Sequence, residues 1–250
     1  MDSNINQDNL IKTFKEGDQE PLNTLLKVMS HDLRSPMAAI ITLTDILQTE
    51  SDSMEKGEIE ETLKDLNRLG ESLLNLTDQL LNWAKITSNK EPLRLSYVSL
   101  SSIIAELIAE KQSHINQKQL KIVFTHPQSI TLYSDRTLIS SILRNLLTNA
   151  IKYSYEGGEI LINLVKKDNE NAEVSFIDHG TGISDKLLQK IYSKELLTST
   201  PGTKGETGNG LGLFISTDFV RILSGSLLIN STKGEGTQTV VTFPMSTNNA

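Results

Sequence analysis

Apolar residues return at three- and four-residue steps over most of the stretch from Leu22 to Trp83, and this periodicity constrains the fold more than any other feature. In its first half, Leu22, Leu25, Leu26, Met29, Leu33, Met37, Ile40, Ile41, Thr44 and Leu47 share one helix face. Pro36 removes a backbone donor inside that helix and predicts a kink. The polar run Thr49–Ser53 breaks the pattern and reads as a loop. From Glu58 to Thr87 a heptad-like seam follows, through Ile59, Leu63, Leu66, Leu69 or Gly70, Leu73, Leu76, Leu80 and Trp83 or Ala84. Two long helices joined by a short loop make a hairpin. A lone hairpin cannot cover two apolar stripes, so the pattern predicts pairing of two chains into a dimeric four-helix bundle. The alternative is a hairpin docked on the rest of its own chain.

Residues 88–92, Ser-Asn-Lys-Glu-Pro, punctuate the chain, and the pattern beyond them is mixed. Strands are expected at Leu93–Val98, Lys121–Thr125, Thr131–Tyr133, Glu159–Val165, Glu173–Ile177, Ser226–Asn230 and Thr237–Phe243. Helices are expected at Leu100–Asn116, Asp135–Ser154 and Leu211–Leu223. Short turns between the later strands favour a mixed, mostly antiparallel sheet over a doubly wound parallel one. The expected organisation is therefore multidomain, α and then α+β. It comprises a lead at 1–20, poorly ordered or a short helix, a hairpin at 21–88, a linker at 89–94, an α/β sandwich at 95–246 and a tail at 247–250.

Composition narrows the chemistry. The 250 residues include no cysteine, which excludes disulfides, zinc ribbons, iron–sulfur clusters and thiol nucleophiles. The four histidines, at 31, 114, 126 and 179, show no metal-ligand spacing. A net charge of −7 and a pI near 5.2 argue against a nucleic-acid or anionic-membrane binder. No direct membrane segment is expected, because no run approaches the roughly 20 apolar residues that span a bilayer. The first residues, Met-Asp-Ser-Asn, lack the basic and apolar regions of a signal peptide.

Several local features point to a nucleotide. Asn145 and Asn149 are spaced i, i+4 on one predicted helix, ahead of Lys152 and Tyr153. Asparagine is mildly unfavourable inside a helix, and its carbonyl oxygen suits magnesium while its amide suits phosphate. Taken alone, the pair also fits an ordinary polar face. Asp178-His179-Gly180-Thr181-Gly182-Ile183 follows a strand. A carboxylate there can accept from a base amine, and the glycines let backbone approach a flat ring. Glycines crowd residues 202–212, and Gly208-Asn209-Gly210-Leu211-Gly212 runs into a helix start, where backbone amides favour anions. It is neither a Walker A nor a dinucleotide fingerprint. Residues 234–237, Gly-Glu-Gly-Thr, are explained by a hairpin turn. Upstream, Ser30-His31-Asp32-Leu33-Arg34-Ser35-Pro36 sets a histidine beside a carboxylate that can take one ring proton while the other nitrogen attacks.

In this order, these segments resemble the sensor histidine kinases of two-component signalling. Ser30–Pro36 is similar to the phosphoacceptor box, Asn145–Tyr153 to the N box, and Asp178–Ile183, Gly208–Leu213 and Gly234–Thr237 to three glycine boxes. The resemblance spans about residues 22 to 245. It implies a phosphotransfer hairpin followed by a Bergerat-type ATP-binding sandwich, with ATP and Mg2+ as cofactors. It makes His31 the phosphorylated residue and Asp32 its general base. Asn149, with Asn145 beside it, would ligate magnesium, Lys152 would meet phosphate and Tyr153 adenine. Asp178 would bind the adenine amine, with Gly180, Gly182 and Ile183 shaping that wall. Gly208, Gly210, Leu211 and Gly212 would form the lid hinge and phosphate cradle, with Lys204 a weaker phosphate candidate. The implied partners are a second copy of the chain and a response-regulator receiver domain. The implied location is the cytoplasm, or the cytoplasmic part of a longer sensor. Two departures stand out. Ile191-Tyr192 replaces the usual Phe-rich box, and Ser35 stands where many relatives carry a longer water-positioning Thr or Asn, which leaves phosphatase activity unassigned. The competing readings are an ATPase clamp of the same nucleotide fold and a non-catalytic dimeric signalling module.

Overall fold

The computed structural model describes residues 20–87, 92–193, 200–204, 206 and 211–246. Side chains of residues 20–32, of Ser35 and of parts of the second helix lie outside that set. The lead through residue 19, residues 88–91, Gly208, Gly210 and residues 247–250 also fall outside it.

Helix α1 (Glu20–Glu50) runs past Pro36 without interruption in its assignment, and α2 (Lys56–Thr87) returns beside it. The turn is closed locally. The amides of Ser53 and Met54 donate to Glu50 O, and Glu58 in the first turn of α2 accepts from the Glu55 amide, one half of a capping box. Burial of the apolar residues along the hairpin is uneven. Ile59, Leu66, Leu69 and Leu73 are half-buried, whereas Met37, Ile41, Leu63, Leu74 and Leu81 are exposed.

The second unit begins with β1 (Leu95–Ser99), α3 (Leu100–Glu110), α4 (Gln112–Gln117), β2 (Lys121–Thr125) and β3 (Thr131–Asp135). It continues through α5 (Arg136–Tyr153), β4 (Glu159–Lys166), β5 (Asn171–Asp178), α6 (Asp185–Tyr192), α7 (Leu211–Ile222), β6 (Ser226–Thr232) and β7 (Gly236–Pro244). The main sheet has the order β2-β4-β5-β7-β6; only β2–β4 is parallel. Alternation along β4 and β5 buries Ile160, Ile162, Leu164, Val174 and Phe176 with α5 and α7 residues such as Ile142, Leu146, Ile215 and Phe219.

Four details differ from the sequence reading. Strands β1 and β3 form a separate two-stranded sheet rather than joining the main one. The helix expected at Leu100–Asn116 divides at Lys111, whose amide caps α3 by donating to Leu107 O while its own carbonyl accepts from Ile115. Helix α6 was not expected; Ser184 caps it, its oxygen accepting from the Leu187 amide. The loop expected at Thr49–Ser53 starts later, because α1 continues through Glu50.

The hairpin and the sandwich share one core. Leu80 and Trp83, near the end of α2, are buried in the same cluster as the sheet. Trp83 Nε1 donates to the buried Asp218 of α7 at 3.0 Å, and Arg221 stands 3.6 Å from that carboxylate.

Candidate functional site

Helix α5 organises the site. Asp135 caps its start, one carboxylate oxygen accepting from the Thr137 and Leu138 amides and the other from Arg94 N. Its far end carries Asn149, Lys152 and Tyr153. The last carbonyls of a helix lack intrahelical partners, and here three segments supply them. The Thr181 amide donates to Tyr153 O at 3.1 Å, the Thr203 amide to Lys152 O at 3.2 Å, and the Lys118 ammonium to Ile151 O, Lys152 O and Ser154 O.

Asp178 ends the central strand β5. Period-two alternation puts it on the helix-covered side with Val174 and Phe176, which is why a carboxylate there is buried. Its Oδ1 accepts from the Gly180 amide at 2.9 Å. Burial pushes the carboxyl above its ordinary range, against the pull of the Gly180 and Thr237 amides and of His179. The loop that follows is closely fitted. A Cβ on Gly180 would stand 2.0 Å from Tyr153 O, and one on Gly182 would stand 1.9 Å from Thr232 O, at a φ of +61°. The Ile183 amide donates to Ser231 Oγ at 2.8 Å. The β6–β7 turn closes the same edge. The Gly234 amide donates to Thr181 O, and Gly236, at φ +114°, lies against the backbone of Asp178 and His179.

Nearer its middle, α5 meets α7. Asn145 Nδ2 donates to Ser216 Oγ at 3.0 Å, and a Cβ on Gly212 would stand 2.1 Å from Asn145 Oδ1. Asn145 is thus engaged in helix packing. The side chain of Asn149, one turn later and half-buried, makes no hydrogen bond among the described residues. Its side-chain oxygen is a hard donor, the type that magnesium ions prefer. Lys152 Nζ and Tyr153 OH both donate to Thr200 O, at 3.0 and 3.2 Å, and Leu211 is buried at the start of α7. Lys204 turns away, donating to Gln117 O and pairing with Glu156. In place of a Phe-rich box, Tyr192 OH at the end of α6 donates to Ile229 O at 2.7 Å.

The fold therefore gathers Asn145, Asn149, Lys152, Tyr153, Asp178, Gly180, Gly182, Ile183, Leu211 and Gly212 around one helix. His31, Asp32 and Ser35 stand on α1, with side chains outside the described set. Sequence reasoning missed Lys118, Thr203, Glu206 and Ser231. Nothing in the chain distinguishes Lys118 from a solvated lysine.

Two family models match the chain in tandem: the His Kinase A (phospho-acceptor) domain over residues 22–89, and the histidine kinase-, DNA gyrase B-, and HSP90-like ATPase over residues 134–247. The chain belongs to the sensor histidine kinases. Among curated relatives, it is 30% identical over 229 residues to the sensor histidine kinase AtsR of Burkholderia thailandensis, covering 89% of this chain and 37% of the relative. It is 28% identical over 243 residues to the adaptive-response sensory kinase SasA of Crocosphaera subtropica, covering 94% and 63%. The chain thus spans less than two thirds of either relative. Histidine kinase ThkA, solved in complex with the response regulator protein TrrA, shares the fold, with a TM-score of 0.67 at 20% identity over 96% of this chain and 68% of that one. No helix among the described residues is long and apolar enough to cross a membrane.

Proposed function

We propose that this chain is an ATP-dependent protein-histidine kinase that phosphorylates its own His31 and passes the phosphoryl group to an aspartate of a receiver domain. The observation that carries the nucleotide half is the convergence on the end of α5 of a buried carboxylate, Asp178, an unengaged carboxamide, Asn149, and the tightly fitted loop at Gly180 and Gly182. Asp178 accepts the adenine amine, because a carboxylate offers lone pairs beyond the one that Gly180 uses. Lys152 and Tyr153 turn from Thr200 O to phosphate and ring. Asn149 would hold Mg2+, whose charge would neutralise the phosphates.

The transfer step uses a neutral His31. One ring nitrogen attacks the γ-phosphorus, the bond from that phosphorus to the bridging oxygen of ADP breaks, and Asp32 accepts the proton from the other ring nitrogen. Positioning and charge neutralisation supply most of the rate. The partner reading follows from the fold shared with ThkA, which was solved with a response regulator, and from the match to a phospho-acceptor domain. The exposed stripe of Met37, Ile41, Leu63, Leu74 and Leu81 is the surface that a second copy covers in a four-helix bundle. Since ATP is an intracellular substrate, this activity belongs in the cytoplasm.

The test is labelling with γ-labelled ATP. Wild-type chain takes acid-labile, base-stable label, and His31→Gln takes none while still binding ADP. Label on His31→Gln overturns the assignment of the nucleophile. Release of free phosphate without any phosphoprotein replaces the kinase reading with an ATPase one.

A further inference from the structure

One buried cation at the end of α5 has no part in the proposed reaction. Lys118, at the end of α4, is 3% exposed. Its ammonium donates to Ile151 O at 2.9 Å, Lys152 O at 2.7 Å and Ser154 O at 3.4 Å, all at the end of α5. It also donates to Thr203 Oγ1 at 2.7 Å and pairs with Glu206 at 2.5 Å. An ammonium has three protons, so these oxygens share it. They come from two segments that are otherwise separate in the chain: the helix that carries Asn149, Lys152 and Tyr153, and the strap Thr200–Lys204 with Glu206.

The strap is stitched to the same point by shorter-range bonds. Thr203 Oγ1 donates to Ser154 O at 2.6 Å, the Gly202 amide to Glu206 O, and the Lys204 amide to Glu206 Oε2. A Cβ on Gly202 would stand 2.7 Å from Lys152 Cγ, so the strap lies against that side chain. Burial raises the carboxyl of Glu206, but the hydrogen bond and charge of Lys118 together with the Glu206 and Lys204 amides outweigh this and hold it below its ordinary range. Glu206 precedes Gly208 by two residues, and Leu211 begins α7 soon after. The pair therefore fixes the strap at the end of α5. A buried ammonium is costly unless oxygens surround it, and the strap provides part of that shell.

We propose that Lys118, paired with Glu206, is a positioning residue for the nucleotide phosphates: it roots the strap Thr200–Lys204 on the end of α5 and so holds it against Lys152. This rests on the kinase reading above. Lys118 acts through the strap and touches no reacting atom. Losing the root weakens binding of ground state and transition state alike, so KM for ATP rises while kcat holds.

The decisive variant is Glu206→Ala, because Glu206 lies at the surface of the cluster and Lys118 keeps its helix carbonyls. The probe is ADP with Mg2+, titrated by calorimetry, alongside a thermal melt and amide hydrogen exchange. The expected result is affinity lower by about tenfold, faster exchange at residues 202–204, and a melt near that of wild type. Glu206→Gln, which keeps an acceptor, recovers part of the affinity. Lys118→Met follows the same direction wherever its melt shows a folded chain. Affinity of Glu206→Ala within about twofold of wild type, or a loss matched by unfolding alone, overturns the proposal. Wild-type chain that binds no ADP overturns the nucleotide reading itself, which separates the two failures.

Discussion

Asp178 shows how a site residue opposes stability. Its carboxyl is buried where β5 ends beneath the helices, so its folded value lies above the ordinary 3.8. The folded chain then holds this proton more tightly than the unfolded chain does. The contribution of Asp178 to stability is present below the ordinary value and is lost as pH rises through the raised one. Above the raised value the fold carries a buried charge. Asp178→Asn is therefore expected to melt above wild type at pH 7, with the gap closing as the pH is lowered toward 4. The same variant loses ADP affinity by roughly 10- to 100-fold, because asparagine has one accepting atom and Gly180 already uses it. Melts across pH and an ADP titration measure both effects. A melt below wild type at pH 7 contradicts the account. The carboxylate and its two glycines were legible in the sequence, because a strand pattern led straight into them. The burial that shifts its proton was not, because it depends on which side of β5 the helices cover.

At the scale of elements, α5 and α7 are held at close range by a glycine and an amide. Gly212 lets Asn145 Oδ1 sit against its backbone while Nδ2 reaches Ser216. Gly212→Ala forces the carboxamide away and leaves a buried hydroxyl short of a partner, a loss of about 1–3 kcal/mol. Gly57, in the first turn of α2, meets nothing within 4 Å of a new Cβ. Gly57→Ala is therefore expected to stabilise by about 0.5–1 kcal/mol. Urea unfolding of the two variants should move in opposite directions, and equal shifts contradict the packing role of Gly212. The i, i+4 spacing placed Asn145 and Asn149 on one face, but it did not divide their labour. Only the approach of α7 shows that Asn145 is engaged and Asn149 has no protein partner among the described residues. Helix α6 escaped the sequence reading for a different reason. Leu187, Leu188, Ile191 and Tyr192 follow its Ser184 cap at helical spacing, but the helix spans only Asp185–Tyr192, too short a stretch for periodicity to separate it from a loop.

Over the whole molecule, the hairpin has two apolar faces with different partners. Near its end, Leu80 and Trp83 enter the core of the sandwich. The second face, through Ile41 and Leu63, stays exposed within one chain. Of the two arrangements weighed from the seam, docking of the hairpin on its own sandwich is seen at one end, and the exposed stripe is the one proposed for a second copy. Ile41→Glu with Leu63→Glu is expected to sediment as a monomer while wild type sediments as a dimer. Trp83 is the one tryptophan of the sequence and is covered by its own chain. Its emission should stay that of a buried indole in the monomer. A red shift would mean that the variant had unfolded instead.

The sequence alone determined the local grammar: two long amphipathic helices, a strand at Lys121–Thr125 where it was expected, a mostly antiparallel sheet, and boxes whose order resembles one kinase family. These follow from side-chain period and turn chemistry, which act over a few residues. The tertiary structure alone decided which groups close the end of α5, that β1 and β3 stand apart from the main sheet, and that Trp83 meets Asp218 across 135 residues. Lys118 is the clearest case, since its surroundings are carbonyls and a carboxylate drawn from segments more than thirty residues away. Backbone carbonyls are common to every residue and leave no mark on composition or spacing. A cation that they hold becomes visible only when the chain has brought them together.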